Sequence, residues 1–113
     1  MISIAVAKNL ALSLPEAKEQ DHMERPSYRI KKKIFAVLHA NEHIMVVKLT
    51  PIDQSVFTAF DTDIIYPVSG GWGKQGWTKI NLKKVKKGMF TDTLTTAWKT
   101  VAPKKLVLQY FGE

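Results

Sequence analysis

The most distinctive string of residues in this sequence combines glycines, tryptophans and a lysine. It runs from residue 70 to residue 77 and reads GGWGKQGW. Glycines permit positive φ and close backbone approach, but the order lacks the GxxxxGK[ST] pattern of a phosphate-binding P-loop. Tryptophan rings can stack on or wedge beside bases, and lysine can pair with phosphates. The string therefore indicates a binding loop rather than a nucleotide-hydrolysing site.

Lysines follow this loop, and three more occupy a short turn earlier in the chain. Interleaved lysines and aromatic residues are typical of surfaces that bind nucleic acid. The alternative is that Trp72 and Trp77 pack at the edge of the core while the lysines are merely solvated. The candidate nucleic-acid-binding residues are Lys31, Lys32, Lys33, Trp72, Lys74, Gln75, Trp77, Lys79, Lys83, Lys84, Lys86 and Lys87.

The positive charge of the chain is confined to its second part. Residues 1–66 contain eight Lys or Arg and eight Asp or Glu, whereas residues 67–113 contain nine Lys and only Asp92 and Glu113, so the net charge of +7 arises in the second part. Clustered positive charge speeds encounters with polyanions and gains from counterion release. Nucleic acid is the leading candidate partner, and an anionic membrane surface is the second. The alternative is that the lysines have no polyanionic partner and only keep the protein soluble.

No combination of residues in the sequence indicates a catalytic site or a metal site. The absence of Cys excludes thiolate zinc sites, iron–sulfur clusters and a cysteine nucleophile. Neither a GxSxG nor an SxxK string is present. His39 and His43 flank a short turn in which Glu42 could complete a metal site, but exposed turn histidines are the more ordinary interpretation. We expect a non-catalytic protein without a cofactor; an enzyme would need an acidic or His-lined pocket.

The spacing of apolar residues places the first half of the chain in one helix and three strands. Apolar residues from Ile4 to Leu14 recur every three or four positions, which predicts a helix that ends at Pro15. The polar residues 16–25 predict a loop or a short helical turn. Residues 27–30, 34–39 and 44–49 predict strands, and the short links between them favour an antiparallel meander.

The second half alternates between helical and extended patterns. Thr50 and Pro51 predict the start of a helix with an apolar face formed by Ile52, Val56, Ala59 and Phe60. Residues 64–68 predict a short extended segment, and residues 77–82 predict a strand with alternating faces. Residues 92–101 predict a helix capped by Thr91 or Asp92. The tail, residues 104–111, fits either one or two helical turns or a strand.

Helices at both ends and in the middle, together with four to six antiparallel strands, predict a two-layer α+β sandwich with the helices on one sheet face. The other face is expected to stay partly open. Residues 1–113 form one domain, and the lack of a basic segment before residues 2–7 predicts a cytosolic protein without a signal peptide. The expected core residues are Leu10, Leu14, Ile34, Val37, Val47, Leu49, Val56, Phe60, Ile80, Leu82, Leu94, Trp98 and Val101.

Four strings in this order resemble the MmcQ/YjbR family: residues 11–17 (ALSLPEA), 33–36 (KIFA), 76–80 (GWTKI) and 97–105 (AWKTVAPKK). The resemblance implies a frataxin-like (CyaY-like) α+β fold and a DNA-binding role through two β-hairpin wings. It implies no catalytic or metal position. Members often have Gly before the KIFA string where this chain has Lys32, and the Trp-containing loop matches only a subset of the family. Iron chemistry of the frataxin kind needs an acidic first helix, which residues 1–15 do not offer.

We therefore expect a DNA-binding module that binds double-stranded nucleic acid with little sequence preference, since lysine suits bidentate reading of bases poorly. The rival hypothesis is a protein-interaction or small-ligand module that uses the open sheet face and the Trp-containing loop. Phosphate binding would weaken steeply with salt, whereas apolar binding would not.

Overall fold

The computed structural model describes residues 1–112, which form six strands, five α-helices and one 3-10 turn. The expected two-layer α+β architecture, with helices on one face of an antiparallel sheet, is confirmed. None of the helices in this range is long and apolar enough to cross a membrane. In chain order the elements are α1 (Ile4–Ser13), β1 (Lys18–His22), β2 (Arg25–Ile30), β3 (Lys33–His39), the 3-10 turn (Ala40–Glu42), β4 (Ile44–Lys48), α2 (Pro51–Thr58), β5 (Ile65–Pro67), α3 (Gly71–Lys74), β6 (Trp77–Asn81), α4 (Lys87–Val101) and α5 (Lys104–Phe111).

The sheet is a fully antiparallel array with the strand order β1-β2-β3-β4-β6-β5. Strands β2, β3 and β4 form the meander that the short links predicted, and β1 extends it by one strand at the edge. In the centre, Ala36 lies opposite Val47, and Val47 lies opposite Thr78, so these three residues define one line across the sheet. The positions of the remaining residues of β3, β4 and β6 follow by counting along each strand from this line.

The core lies between the sheet and the helices. Phe35, Met45 and Ile80 project from the sheet into this layer, and Trp98 projects from α4. The indole N–H of Trp98 donates to the carbonyl oxygen of Pro15 over 2.9 Å, which ties α4 to the segment after α1. Phe111 of α5 packs against the same indole with 5.3 Å between the ring centres. A buried donor with a partner avoids a desolvation penalty of about 1–3 kcal/mol.

Four expected core residues lie outside the core. Ile34 and Val37 of β3 project from the sheet face that points away from the helices, because the pairing of β2, β3 and β4 places them on that side. Val56 of α2 is 55% exposed, and Phe60, two residues after the end of α2, is 69% exposed. The helix turns Gln54 inward instead, where its amide donates to the carbonyl oxygens of Gly73 and Trp77. The prediction for Val56 and Phe60 was wrong because α2 turns toward the sheet the face that carries Gln54, which binds backbone carbonyl oxygens, and Phe57, which packs against the core.

The polar segment 16–25 is not a loop or a helical turn, because residues Lys18–His22 form the edge strand β1. All five residues of β1 are exposed and polar, so its sequence lacks the alternation of apolar residues that would predict a strand. It forms because each residue pairs with β2. The hydroxyl of the buried Tyr28 also donates a hydrogen bond to Glu19 over 2.8 Å. Burial is the larger cause, and this hydrogen bond the second, of a raised pKa of Tyr28.

Several boundaries in the second half also differ from expectation. The Gly-rich string contains a four-residue helix, α3, and α4 begins at Lys87, five residues before the expected start. Lys86 occupies the N-cap position of α4 without a side-chain hydrogen bond, so the predicted caps Thr91 and Asp92 lie inside the helix. Residues 104–111, for which the sequence fitted either helical turns or a strand, form the helix α5. Thr50 caps α2 as predicted, because its hydroxyl accepts from the N–H of Asp53 over 3.1 Å.

Candidate nucleic-acid interface

The sheet face away from the helices, which we call the open face, combines basic and apolar side chains. Its members follow from the alternation of side chains along the paired strands, with one register shift between β2 and β3. On β6, Thr78 and Ile80 are buried against the helices while Trp77, Lys79 and Asn81 face outward, as the sequence predicted. Among residues 1–112, no Asp or Glu occupies an outward strand position. The outward positions are Lys18, Gln20, His22, Arg25, Ser27, Arg29, Ile34, Val37, His39, Ile44, Val46, Lys48, Tyr66, Trp77, Lys79 and Asn81.

Cations gather at one corner of this face. Lys18 of β1 lies directly opposite Arg29 of β2, an arrangement of like charges that destabilises a sheet. The guanidinium Nε of Arg29 donates to the hydroxyl of Ser27 over 3.1 Å, which fixes its direction. Lys31 and Lys32 border the same depression, whose volume is about 320 Å3. We name Lys18, Arg29, Lys31 and Lys32 the basic corner.

The basic corner includes a strained turn. Lys31 and Lys32 form the two-residue connection between β2 and β3, and both have positive φ, +50° and +72°. Such turns favour Asn and Gly, because L-residues with side chains pay about 1–2 kcal/mol there. Glu16 approaches Lys31 at 3.5 Å, but both side chains are well exposed. The turn therefore displays two lysines at a cost in conformational energy.

The Trp loop, residues 70–77, borders the opposite side of the open face. Trp72 of α3 is 64% exposed, whereas Trp77 is half-buried. Lys48 lies opposite Trp77, with its Nζ 5.5 Å from the ring centre, and donates to the carbonyl oxygen of Gln75. The alternative of core-edge packing thus fits Trp77 in part, while Trp72 remains available for a ligand.

An apolar depression of about 400 Å3 lies between the Trp loop and the β1–β2 hairpin. Its floor consists of Ile34, Val37 and Val46 from the two central strands. Trp72 and Trp77 border it on one side. Volumes of this size are typical of sites for small ligands or single groups of larger ones. The remaining lining residues are His22, Met23, Arg25, His39, Val68 and Lys79.

His22 and His39 border this depression. His39 lies with its Nδ1 4.0 Å from Glu42, which also approaches Arg25 at 3.8 Å. Burial, and next the positive charge of Arg25, lower the pKa of His39 below its usual range. No cluster of three or more potential metal ligands occurs within residues 1–112. His39 therefore presents mainly a neutral ring at neutral pH.

The structure divides the predicted lysines between the two ends of the sheet. Lys31, Lys32, Lys33 and Lys74 lie beyond the Trp77 end of β6, whereas Lys83, Lys84, Lys86 and Lys87 follow Asn81 at its other end. The two ends of β6 are about 13 Å apart at ~3.3 Å per residue. The second group, which we name the far lysines, surrounds the start of α4, where cations interact unfavourably with the helix dipole.

Individual candidates also differ in direction. Lys33 pairs with Ile30, whose side chain is buried, so Lys33 projects toward the helix side. Lys74 and Gln75 are exposed in the Trp loop, and Lys79 lines the apolar depression. The residues that sequence reasoning missed are Lys18, His22, Arg25, Arg29, Ile34, Val37, His39 and Val46. The alternation of β2 could have revealed Arg25 and Arg29, but only with the strand registers known.

Comparisons with known proteins agree with this architecture. A family model described as YjbR matches residues 12–100. The crystal structure of the Deinococcus radiodurans protein DR2400, which carries a DUF419 domain, is similar in fold with a TM-score of 0.74 and 15% sequence identity. The match covers 100% of this chain and 83% of that one. No curated protein matches the sequence significantly. Because the family model covers most of the chain, this protein belongs to the YjbR family, as the resemblance predicted.

Proposed function

We propose that this protein is a non-catalytic nucleic-acid-binding module that contacts phosphates through the basic corner and the open face. The observation that carries the proposal is the direct opposition of Lys18 and Arg29 beside the strained Lys31–Lys32 turn. Opposed cations and a strained turn both cost stability. A polyanionic partner offsets this cost, because each neutralised phosphate releases counterions.

Low sequence specificity follows from the side chains involved. Lysine is a point charge, and Arg25 and Arg29 are the two arginines suited to bidentate contacts with guanine. Contacts with about five phosphates would give a slope of log K against log salt of roughly −4 to −5, with affinity of about 10⁻⁴ to 10⁻⁶ M at physiological salt. Phosphate contacts of this kind serve single strands and duplexes alike.

The two ends of the sheet allow a matched test. Fluorescence anisotropy with labelled DNA over a salt series should compare Lys18→Glu/Lys32→Glu with Lys83→Glu/Lys87→Glu, because both double variants change the charge equally. If the basic corner contacts phosphates, its variant should lower the magnitude of the salt slope by about 2, and the far-lysine variant by less than 1. Absence of binding by the wild type at low salt would contradict the function. Equal effects of both variants would contradict the assignment to the basic corner.

A protein-interaction or small-ligand module is the second candidate. It is favoured by the apolar depression and by the exposure of Trp72 beside it. Binding of an apolar partner would change little with salt and would be abolished by Trp72→Ala. A steep salt dependence would exclude this candidate.

A further inference from the structure

The apolar depression and the basic corner lie on the same open face but suit different parts of one ligand. Val37 and Val46 offer an apolar floor, and the exposed ring of Trp72 stands at its side. Lys79 and Arg25 lie within the same depression. A planar aromatic group beside an anionic group matches this arrangement, and a nucleotide has both.

Trp72 has the exposure that stacking needs. Its side chain is 64% exposed on a four-residue helix, so it contributes little to the core. Trp77 is held in place by Lys48, which contacts both its ring and the preceding backbone at Gln75. One exposed ring and one ring anchored by Lys48 at the same depression can accept a base without reorganising the sheet.

A base-paired duplex cannot use this depression directly. Its bases are stacked inside the helix, and turning one out costs a few kcal/mol. Unpaired bases avoid this cost, and stacking on an aromatic side chain favours them without much sequence preference. A depression that stacks one base would therefore favour single strands over duplexes, whereas phosphate contacts alone would not.

We propose that the open face selects unpaired nucleotides, with one base in the depression beside Trp72 and Trp77 and the flanking phosphates at Arg25, Lys79 and the basic corner. This proposal rests on the nucleic-acid binding proposed above and replaces the duplex predicted from the sequence as the preferred ligand. The same chemistry could be supplied by a free nucleotide, so the experiment includes one.

Fluorescence anisotropy should compare a labelled oligothymidylate single strand with its duplex with oligoadenylate, at one salt concentration. The single strand should bind at least about five-fold more tightly, since one stacked base gives roughly a five- to hundred-fold gain. Trp72→Ala should remove this advantage and change duplex affinity less than two-fold, whereas Trp72→Phe should retain most of it. Phe60→Ala is the matched control, because Phe60 is a similarly exposed aromatic residue that does not line the depression, and it should alter neither affinity.

Intrinsic fluorescence gives an independent readout. Trp98 is fully buried, so quenching by the single strand would report on Trp72 and Trp77. Thymidine monophosphate should quench only at far higher concentration than the strand; equal affinity would assign the depression to free nucleotides and overturn the proposal. Equal binding of single strand and duplex, unchanged by Trp72→Ala, would also overturn it while leaving the phosphate-binding function intact. Failure of both ligands to bind at low salt would instead refute the function on which it rests.

Discussion

Lys48 and Trp77 face each other across the β4–β6 pair, with the Nζ of Lys48 5.5 Å from the centre of the indole ring. The same ammonium donates to the carbonyl oxygen of Gln75. One side chain therefore joins a central strand to the Trp loop by two contacts.

Replacing Lys48 should loosen this loop. Lys48→Met keeps an apolar stem but removes the charge, and we expect a loss of about 1 kcal/mol in the free energy of unfolding, from a cation–π contact and a hydrogen bond to a charged group at a half-exposed site. Urea denaturation measures it, and Lys105→Met, an exposed position on α5, is the control. Equal stability of both variants would mean that the two contacts contribute nothing.

The glycines of the Trp loop should differ sharply in their tolerance of a side chain. A Cβ at Gly76 would lie 1.8 Å from the carbonyl oxygen of Leu49, and Gly76 has φ of +104°. A Cβ at Gly71 would meet nothing within 4 Å. We expect Gly76→Ala to lower the unfolding free energy by at least about 2 kcal/mol, or the melting temperature by roughly 10 °C, while Gly71→Ala is neutral. Thermal denaturation of the two variants provides the comparison.

The Lys31–Lys32 turn should exchange stability for charge. Changing the turn to Asn-Gly suits the positive φ values and should raise the free energy of unfolding by about 1 kcal/mol or more. The same variant removes two cations from the basic corner and should weaken DNA binding. Chemical denaturation and anisotropy on one preparation test both effects. A variant that binds DNA like the wild type would show that the strain serves another purpose.

The pKa of His39 predicts a dependence of stability on pH. Burial, and next the positive charge of Arg25, lower the pKa of His39 and favour its neutral ring. Lys79 acts in the same direction, and together these effects outweigh Glu42, whose negative charge raises the pKa. The unfolded chain therefore takes up the proton first as pH falls below about 6.5, and stability is lost in that range. The melting temperature should be lower at pH 5.5 than at pH 7.5, and His39→Gln should reduce the difference. His22→Gln, an exposed position on β1, should leave it unchanged.

The sequence by itself determined the elements that local physics controls. The apolar period of residues 4–14 specified α1, and Thr50 with Pro51 specified the start of α2. The short polar links at residues 31–33 and 40–43 indicated that β2, β3 and β4 run antiparallel. Alternation along residues 77–81 assigned Trp77 and Lys79 to the outward face before any partner strand was known.

Only the tertiary structure decided where these faces lie relative to one another. The strand β1 has no apolar pattern and exists because β2 supplies its hydrogen bonds. Ile52 and Val56 of α2 face outward because the opposite face of the helix carries Gln54, which binds the carbonyl groups of Gly73 and Trp77, and Phe57, which packs against the core.

The same limit applies to the candidate site. Lys74 and the far lysines are close in sequence but lie at opposite ends of β6, because the strand carries the chain from one end of the sheet to the other. The basic corner instead joins Lys18 and Arg29, which are eleven residues apart in the chain and directly opposite in the sheet. Charge composition is a property of the sequence, but a charged surface depends on strand pairing, which brings together residues that no local pattern connects.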